Sequence, residues 1–183
     1  MDNMREYRTF YGISVSHYTI DFGILNDWHK LLVEEYISDG CLCAETSTAT
    51  LDTNIFLYPN HIAKVYFIEG VISGHITLTT SGATAIVNSY RVTVGKMNED
   101  GESEELYSTG WRTVLHTLPW DVTYEIGEEG VYPFWIDAWN KSELSEFDRI
   151  FVKVEIDGDN PLELYHSNDA TWEDLKITIP IIT

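Results

Sequence analysis

The sequence has 183 residues, 44% of them hydrophobic and 13% aromatic, and its 30 acidic against 11 basic side chains give a formal net charge of −19. This length suits one domain, and the apolar content is enough for a packed core, which excludes an intrinsically disordered chain. Nucleic acids and anionic membranes are bound by clusters of Lys and Arg, so the charge argues against either as a direct partner.

The N-terminal segment, residues 1–23, is rich in aromatic side chains and shows a period of two over residues 13–20. We predict an extended arm that contacts another chain, followed by a single domain over residues 24–183. Aromatic and Arg side chains are enriched in interface cores. The expected contact residues are therefore Arg5, Tyr7, Arg8, Phe10 and Tyr11. The alternative is that this segment folds back as an edge strand of its own domain.

A short helix is predicted over residues 26–38. Trp28, Leu31, Leu32 and Tyr36 follow helical spacing. Asn26 suits the N-cap position, and the sequence Ser-Asp-Gly at residues 38–40 suits a helix end.

After residue 40 the pattern is that of strands. The clearest run covers residues 150–156, where Ile150, Val152, Val154 and Ile156 are predicted to face the core. Further strands are predicted near residues 44–50, 53–58, 62–68, 72–79, 86–94, 104–108, 111–118, 121–126, 131–139, 162–166 and 174–181. Turn residues separate these runs at short intervals, which indicates a mainly β fold: an antiparallel β-sandwich of jelly-roll or Greek-key type.

No catalytic motif is present. The sequence has no nucleophile elbow, phosphate-binding loop or HExxH helix, and its six histidines are scattered. We therefore predict a protein that is not an enzyme and that needs no cofactor or transition metal. Asp157, Asp159 and Asn160 offer oxygen ligands of the kind that calcium prefers, although the same residues also suit a turn between strands.

A possible ligand platform lies between residues 131 and 139. If these residues form one strand, Trp135, Asp137 and Trp139 point to the same side of the sheet. Aromatic rings flanking a carboxylate are an arrangement that a carbohydrate-binding module would use. The alternative is that the indoles pack in the core or in an interface between chains.

Three features together resemble the accessory coat proteins of tailed viruses, such as decoration, cement and head-fibre proteins. They are the aromatic segment 1–23, a Thr/Val/Ile-rich stretch over residues 77–87 without catalytic residues, and a last strand over residues 175–182. The resemblance is one of class and carries no family motif. It implies a structural protein of the virion that contacts other coat-protein chains, forms a homo-oligomer and is made in the host cytoplasm. A carbohydrate- or receptor-binding sandwich is the alternative function, and an enzyme with an unrecognised pair of carboxylates is a third.

Overall fold

The computed structural model describes residues 4–14, 30–34, 43–46, 51–80, 85–118, 130–158, 162–166 and 175–183. Within them lie the strands β1 (Arg5–Ser14), β2 (Lys30–Val33), β3 (Cys43–Thr46), β4 (Leu51–Leu57), β5 (Tyr66–Thr80), β6 (Ala85–Met97), β7 (Ser103–Ser108), β8 (Arg112–Leu118), β9 (Val131–Leu144), β10 (Arg149–Gly158), β11 (Leu162–His166) and β12 (Lys176–Ile182). The mainly β class is confirmed, and the finer jelly-roll type stays a prediction. The described residues contain no helix long and apolar enough to cross a bilayer.

Two long strands organise the sheet into two halves. In the first half, β5 pairs with β9 along one edge and with β12 and β11 along the other, and β1 and β2 follow β12. In the second half, β6 pairs with β10 along one edge and with β7 and β8 along the other, and β4 follows β10. The halves join where Leu31 of β2 pairs with Leu57 of β4 in parallel orientation.

Side chains close the sheet on its other side. The Tyr107 hydroxyl donates to the carbonyl of Ile68 at 3.2 Å and also contacts the carbonyl of Asn140. The Tyr90 hydroxyl donates to the carbonyl of Pro133, again at 3.2 Å. These bonds hold β6 and β7 against β5 and β9, so that the curved sheet becomes a nearly closed barrel around its core.

The predicted core face of β10 is confirmed. Ile150, Val152, Val154 and Ile156 are exposed by only 1%, 0%, 0% and 2%. The opposite face of β10 is also mostly buried, because Phe151 packs there with Leu57 and Met97 in a second apolar cluster. The alternation therefore identified the inner face, but it did not show that the outer face is covered too.

The predicted helix is wrong over residues 30–33, which form β2. This strand pairs with β1, where Leu31 lies opposite Ile13 and Leu32 lies opposite Gly12. Leu32 enters the main core, while Leu31 packs with Ile13 on the other side of the sheet. Adjacent leucines thus fill both faces of a buried strand, a pattern that resembles one turn of a helix in the sequence. The ends of the predicted helix, 26–29 and 35–38, lie outside the described residues.

The predicted arm is an internal strand over residues 5–14. β1 pairs with β12 along one edge and with β2 along the other, so its backbone groups are satisfied within its own chain. Phe10 is fully buried in the main core, which excludes it as a contact to another chain. Burying this aromatic ring and pairing both strand edges favours the folded-back arrangement over a free arm. Residues 15–23 of the predicted arm lie outside the described residues.

A bulge replaces the break that was predicted between residues 62–68 and 72–79. β5 runs through this region as one strand, and its register with β9 shifts between Ile68 and Gly70. Gly70 has φ of +135°, which L-residues with a side chain rarely adopt. Gly70 therefore allows β5 to bend without ending.

The placement of β1 yields a stability test. Phe10→Ala should lower the free energy of unfolding by about 3–5 kcal/mol, since it leaves a cavity in the core. Tyr7→Ala should change it by no more than about 0.5 kcal/mol, because exposed positions away from packed contacts tolerate substitution. Urea denaturation followed by circular dichroism measures both values. Equally small effects would show that residues 5–14 do not lie in the sheet in solution.

Candidate ligand-binding face

The outer side of β9 carries two exposed indoles. Burial alternates strictly from Tyr132 to Trp139, with the even positions buried and the odd positions exposed. Trp135 is 54% exposed and Trp139 is 58% exposed, with Asp137 between them on the same side. The predicted shared face is therefore present, and these two indoles do not belong to the core of their own domain.

The register across four neighbouring strands places small hydroxyl side chains beside Trp135. Trp135 lies opposite Ser73 of β5, Ser73 lies opposite Thr178 of β12, and Thr178 lies opposite Thr9 of β1. The Thr9 and Thr178 hydroxyls are hydrogen-bonded at 2.9 Å. We call these four residues the central row. With strands about 4.8 Å apart, the central row is roughly 14 Å long.

Larger side chains flank the central row. The neighbouring rows lie about 7 Å away along the strands. One of them consists of Pro133, His75, Lys176 and Tyr11, and the other includes Asp137, Val71 and Tyr7. Because the three hydroxyl side chains of the central row are smaller than most side chains in the flanking rows, we infer a shallow trough between these rows, with the Trp135 indole at its β9 end. We call this trough and its surrounding aromatic residues the trough face.

Cations stack on aromatic rings around the trough face. The Cζ of Arg112 lies 5.1 Å from the ring centroid of Trp135, and the Cζ of Arg5 lies 5.9 Å from that of Trp139. The Nζ of Lys176 lies 5.9 Å from the ring centroid of Tyr11. A cation over an aromatic face is attracted by the ring quadrupole, which orients the rings. The indoles are thus supported from one side and stay more than half exposed.

A different charged cluster covers the outer side of the second half of the sheet. Arg91 donates two hydrogen bonds to Glu155, from Nε at 2.5 Å and from a terminal nitrogen at 2.7 Å, and it stacks on Trp111. Lys153 contacts both Glu155 and Glu105. The hydrogen bonds from Arg91 are the main reason why the pKa of Glu155 lies below its ordinary value. Each charge here is matched by another, so the cluster is a closed structural network.

The remaining predicted contact residues do not form one surface. Arg8 faces the opposite side of β1 from Tyr7 and lies 3.5 Å from Glu6 and 3.6 Å from Glu34. Tyr7 is 61% exposed and belongs to the trough face together with Arg5 and Tyr11. The five predicted contact residues thus lie in three places. Phe10 is in the core, Arg8 is paired with Glu6 and Glu34, and Arg5, Tyr7 and Tyr11 lie on the trough face.

The calcium candidate is described only in part. Asp157 lies in β10 opposite Leu51 of β4 and Ser89 of β6, whereas Asp159 and Asn160 lie outside the described residues. Among the described residues, no group of three or more His, Cys, Asp or Glu side chains is placed to hold a metal ion. The calcium site stays a prediction.

Sequence reasoning missed the hydroxyl part of the central row and two of the cations around it, Arg112 and Lys176. Ser73, Thr178 and Thr9 look like ordinary strand residues, and their alternation shows only that they face outward. Thr9 and Thr178 are 169 positions apart in the chain, so no local sequence pattern predicts their contact.

The comparisons with known proteins bear on the fold. No protein-family model matches the chain, and no curated protein is significantly similar to it. A CocE/NonD family hydrolase from Staphylococcus aureus is similar in structure, with a TM-score of 0.59 and 12% identity over 100% of this chain and 37% of the hydrolase. An aminopeptidase from a marine sediment Thaumarchaeota archaeon is similar with a TM-score of 0.60 and 12% identity over 97% of this chain and 37% of that one.

These similarities show a shared β fold and nothing finer. The chain spans little more than a third of the length of either protein. At this identity a common fold does not transfer an activity, because function depends on the residues of the site.

The charged cluster predicts a pH-dependent effect on stability. Glu155→Gln should lower the free energy of unfolding by about 1.5–3 kcal/mol at pH 7, since it removes hydrogen bonds between charged groups. The pKa of Glu155 is lowered in the folded state. Its contribution is therefore complete above the ordinary Glu pKa of about 4.3 and is lost as the pH falls through the lowered pKa.

Urea denaturation of both proteins between pH 7 and pH 2 measures this difference. Glu104→Gln serves as the control, because Glu104 is 65% exposed and lies 3.6 Å from Lys96. An exposed pair of this kind contributes at most about 1 kcal/mol. A stability difference between wild type and Glu155→Gln that does not shrink in acid would contradict the ion-pair explanation.

Proposed function

We propose that this protein is a carbohydrate-binding module, that it has no catalytic role, and that the trough face is its sugar platform. The observation that carries the proposal is the pair Trp135 and Trp139, each more than half exposed on one side of a regular strand. Large apolar side chains are otherwise costly to expose, and exposed patches of them mark binding sites.

The polar groups beside the indoles favour a sugar over a purely apolar ligand. A sugar ring presents apolar C–H faces, which stack on aromatic rings, and hydroxyl groups, which exchange hydrogen bonds. The trough supplies hydroxyls from Ser73, Thr9 and Thr178 that both donate and accept, and the Asp137 carboxylate accepts. Rigid aromatic anchors with a few polar groups between them are the usual composition of a binding site.

The virion assignment is a separate proposal, and it rests on the resemblance of the sequence. One of the three features behind it was the extended aromatic arm, and residues 5–14 of that arm are instead an internal strand. A homo-oligomer would be supported by a native mass that is a multiple of the chain mass. The hydrolase activity of the structurally similar proteins is not proposed here, because about two thirds of each of them has no counterpart in this chain.

Affinity electrophoresis in gels that contain soluble polysaccharides tests the proposal. The wild type should be retarded by at least one polysaccharide, and Trp135→Ala and Trp139→Ala should each weaken binding about tenfold, since each removes one stacking surface worth up to about 1.5 kcal/mol. The matched control is Trp111→Ala, because Trp111 is 45% exposed and stacks under Arg91 on the other half of the sheet.

Two results of this experiment would contradict the proposed sugar platform. Retention of binding in the double variant Trp135→Ala/Trp139→Ala would refute the platform, as would an equal loss in Trp111→Ala. Thermal melting of each variant should stay close to that of the wild type, which distinguishes lost binding from lost folding.

A further inference from the structure

The cations around the trough face lack acidic partners. Within the described part of the chain, Arg5, Arg112 and Lys176 have no carboxylate within ion-pair distance, and each lies over an aromatic ring. Lys141, whose Nζ lies 3.8 Å from the Phe67 ring centroid, lies farther along the same two strands, where Glu143 is opposite Phe67.

Four cations elsewhere on the described surface contact carboxylates, whereas Lys64 and Arg149 do not. Arg8, Arg91, Lys96 and Lys153 each contact at least one carboxylate. In a chain with 30 acidic and 11 basic residues, a cation placed at random would meet an acidic neighbour readily. All three cations around the trough face lack an acidic partner among the described residues, whereas most described cations on the other half of the sheet have one.

Arg112, Lys176 and Arg5 lie on different sides of the trough. Arg112 lies at the β9 end, against the Trp135 ring, and one of its terminal nitrogens lies 3.5 Å from the Trp135 carbonyl. Lys176 lies in the flanking row beside Thr178 on β12. Arg5 lies near the bulge of β5, where a Cβ on Gly70 would be 3.8 Å from the Arg5 Cζ. A ligand in the trough would thus meet positive charge on three sides.

In the part of the chain that the structure describes, two carboxylates lie among the three cations around the trough. Asp137 stands between the two indoles, and Glu69 lies in the bulge of β5. Arg5, Arg112 and Lys176 outnumber these two carboxylates, so the described part of the trough face carries a positive excess on a protein whose net charge is −19. A local positive field attracts an anionic ligand, while the acidic remainder of the surface repels it from other sites.

We infer that the sugar bound by the trough face is anionic, a polysaccharide that carries carboxylate or sulfate groups. This inference rests on the proposed function, because the indoles bind the sugar rings. Arg5 and Arg112 are suited to carboxylate and sulfate oxygens, because the planar guanidinium presents paired donors. Lys176 adds a point charge beside the hydroxyls of the central row.

Isothermal titration against two matched pairs of polymers tests the inference: polygalacturonate with its methyl ester, and dextran sulfate with dextran. At least one anionic polymer should bind ten times more tightly than its neutral partner. The preference should shrink as the salt concentration rises from 50 mM to 500 mM, because salt screens these contacts. The two pairs also separate a carboxylate ligand from a sulfate ligand.

Two variants locate the charge effect. Arg5→Met/Lys176→Met should weaken binding of the anionic polymer about ten times more than binding of its neutral partner, since Met keeps an apolar side chain over each ring but removes the charge. The control is Lys64→Met, which removes one charge from a lysine that stacks on Tyr66 near the start of β5. It should leave both affinities unchanged.

Failure of this inference and failure of the proposed function give different results. Equal or tighter binding of the neutral polymers overturns the anionic preference and leaves the sugar platform in place. Binding of none of the four polymers overturns both. Polyglutamate serves as a polyanion without sugar rings: if it binds as tightly as polygalacturonate and Trp135→Ala affects neither, the face is a site for acidic peptides and the inference is wrong.

Discussion

The structure depends on the ladder that joins β5, β12 and β1. β12 hydrogen-bonds to β5 on one side and to β1 on the other, so strands from the two ends of the described chain lie next to each other. Without this ladder Phe10 would leave the core, and Thr9 and Thr178 would not meet. Contacts between residues so far apart in sequence cost loop-closure entropy, which the burial of Ile177, Ile179 and Phe10 offsets.

The outward-facing side chains of the two halves of the sheet differ in how far they are covered or paired. Strands carry side chains on both faces, and only one face of each strand looks into the core. On the second half, Phe151 is covered together with Leu57, and the cation that stacks on the half-exposed Trp111, Arg91, is also paired with Glu155. On the first half, the indoles and their cations remain accessible. This difference, more than the fold, suggests where a ligand binds.

In this protein the fold resembles that of other proteins, but the residues of the candidate site do not follow from the fold. The β architecture is shared with parts of a bacterial hydrolase and an archaeal aminopeptidase at 12% identity. An architecture of this kind is kept by alternating apolar residues, which many sequences supply. The central row and the unpaired cations instead need particular side chains at particular register positions, so a shared fold does not carry them along.

The sequence by itself determined the features that depend on a period of two. It identified most of the strands, the inner face of β10, and the shared side of Trp135, Asp137 and Trp139, because side-chain direction within a strand is local. It failed at Leu31 and Leu32, where burial on both faces imitates helical spacing, and at residues 5–14, where an aromatic strand looked like an arm. Only the tertiary structure decided which strands are neighbours and in which register. That choice follows from the total burial and backbone pairing of the folded chain, and it alone brings Thr9, Ser73 and Thr178 into one row beside Trp135.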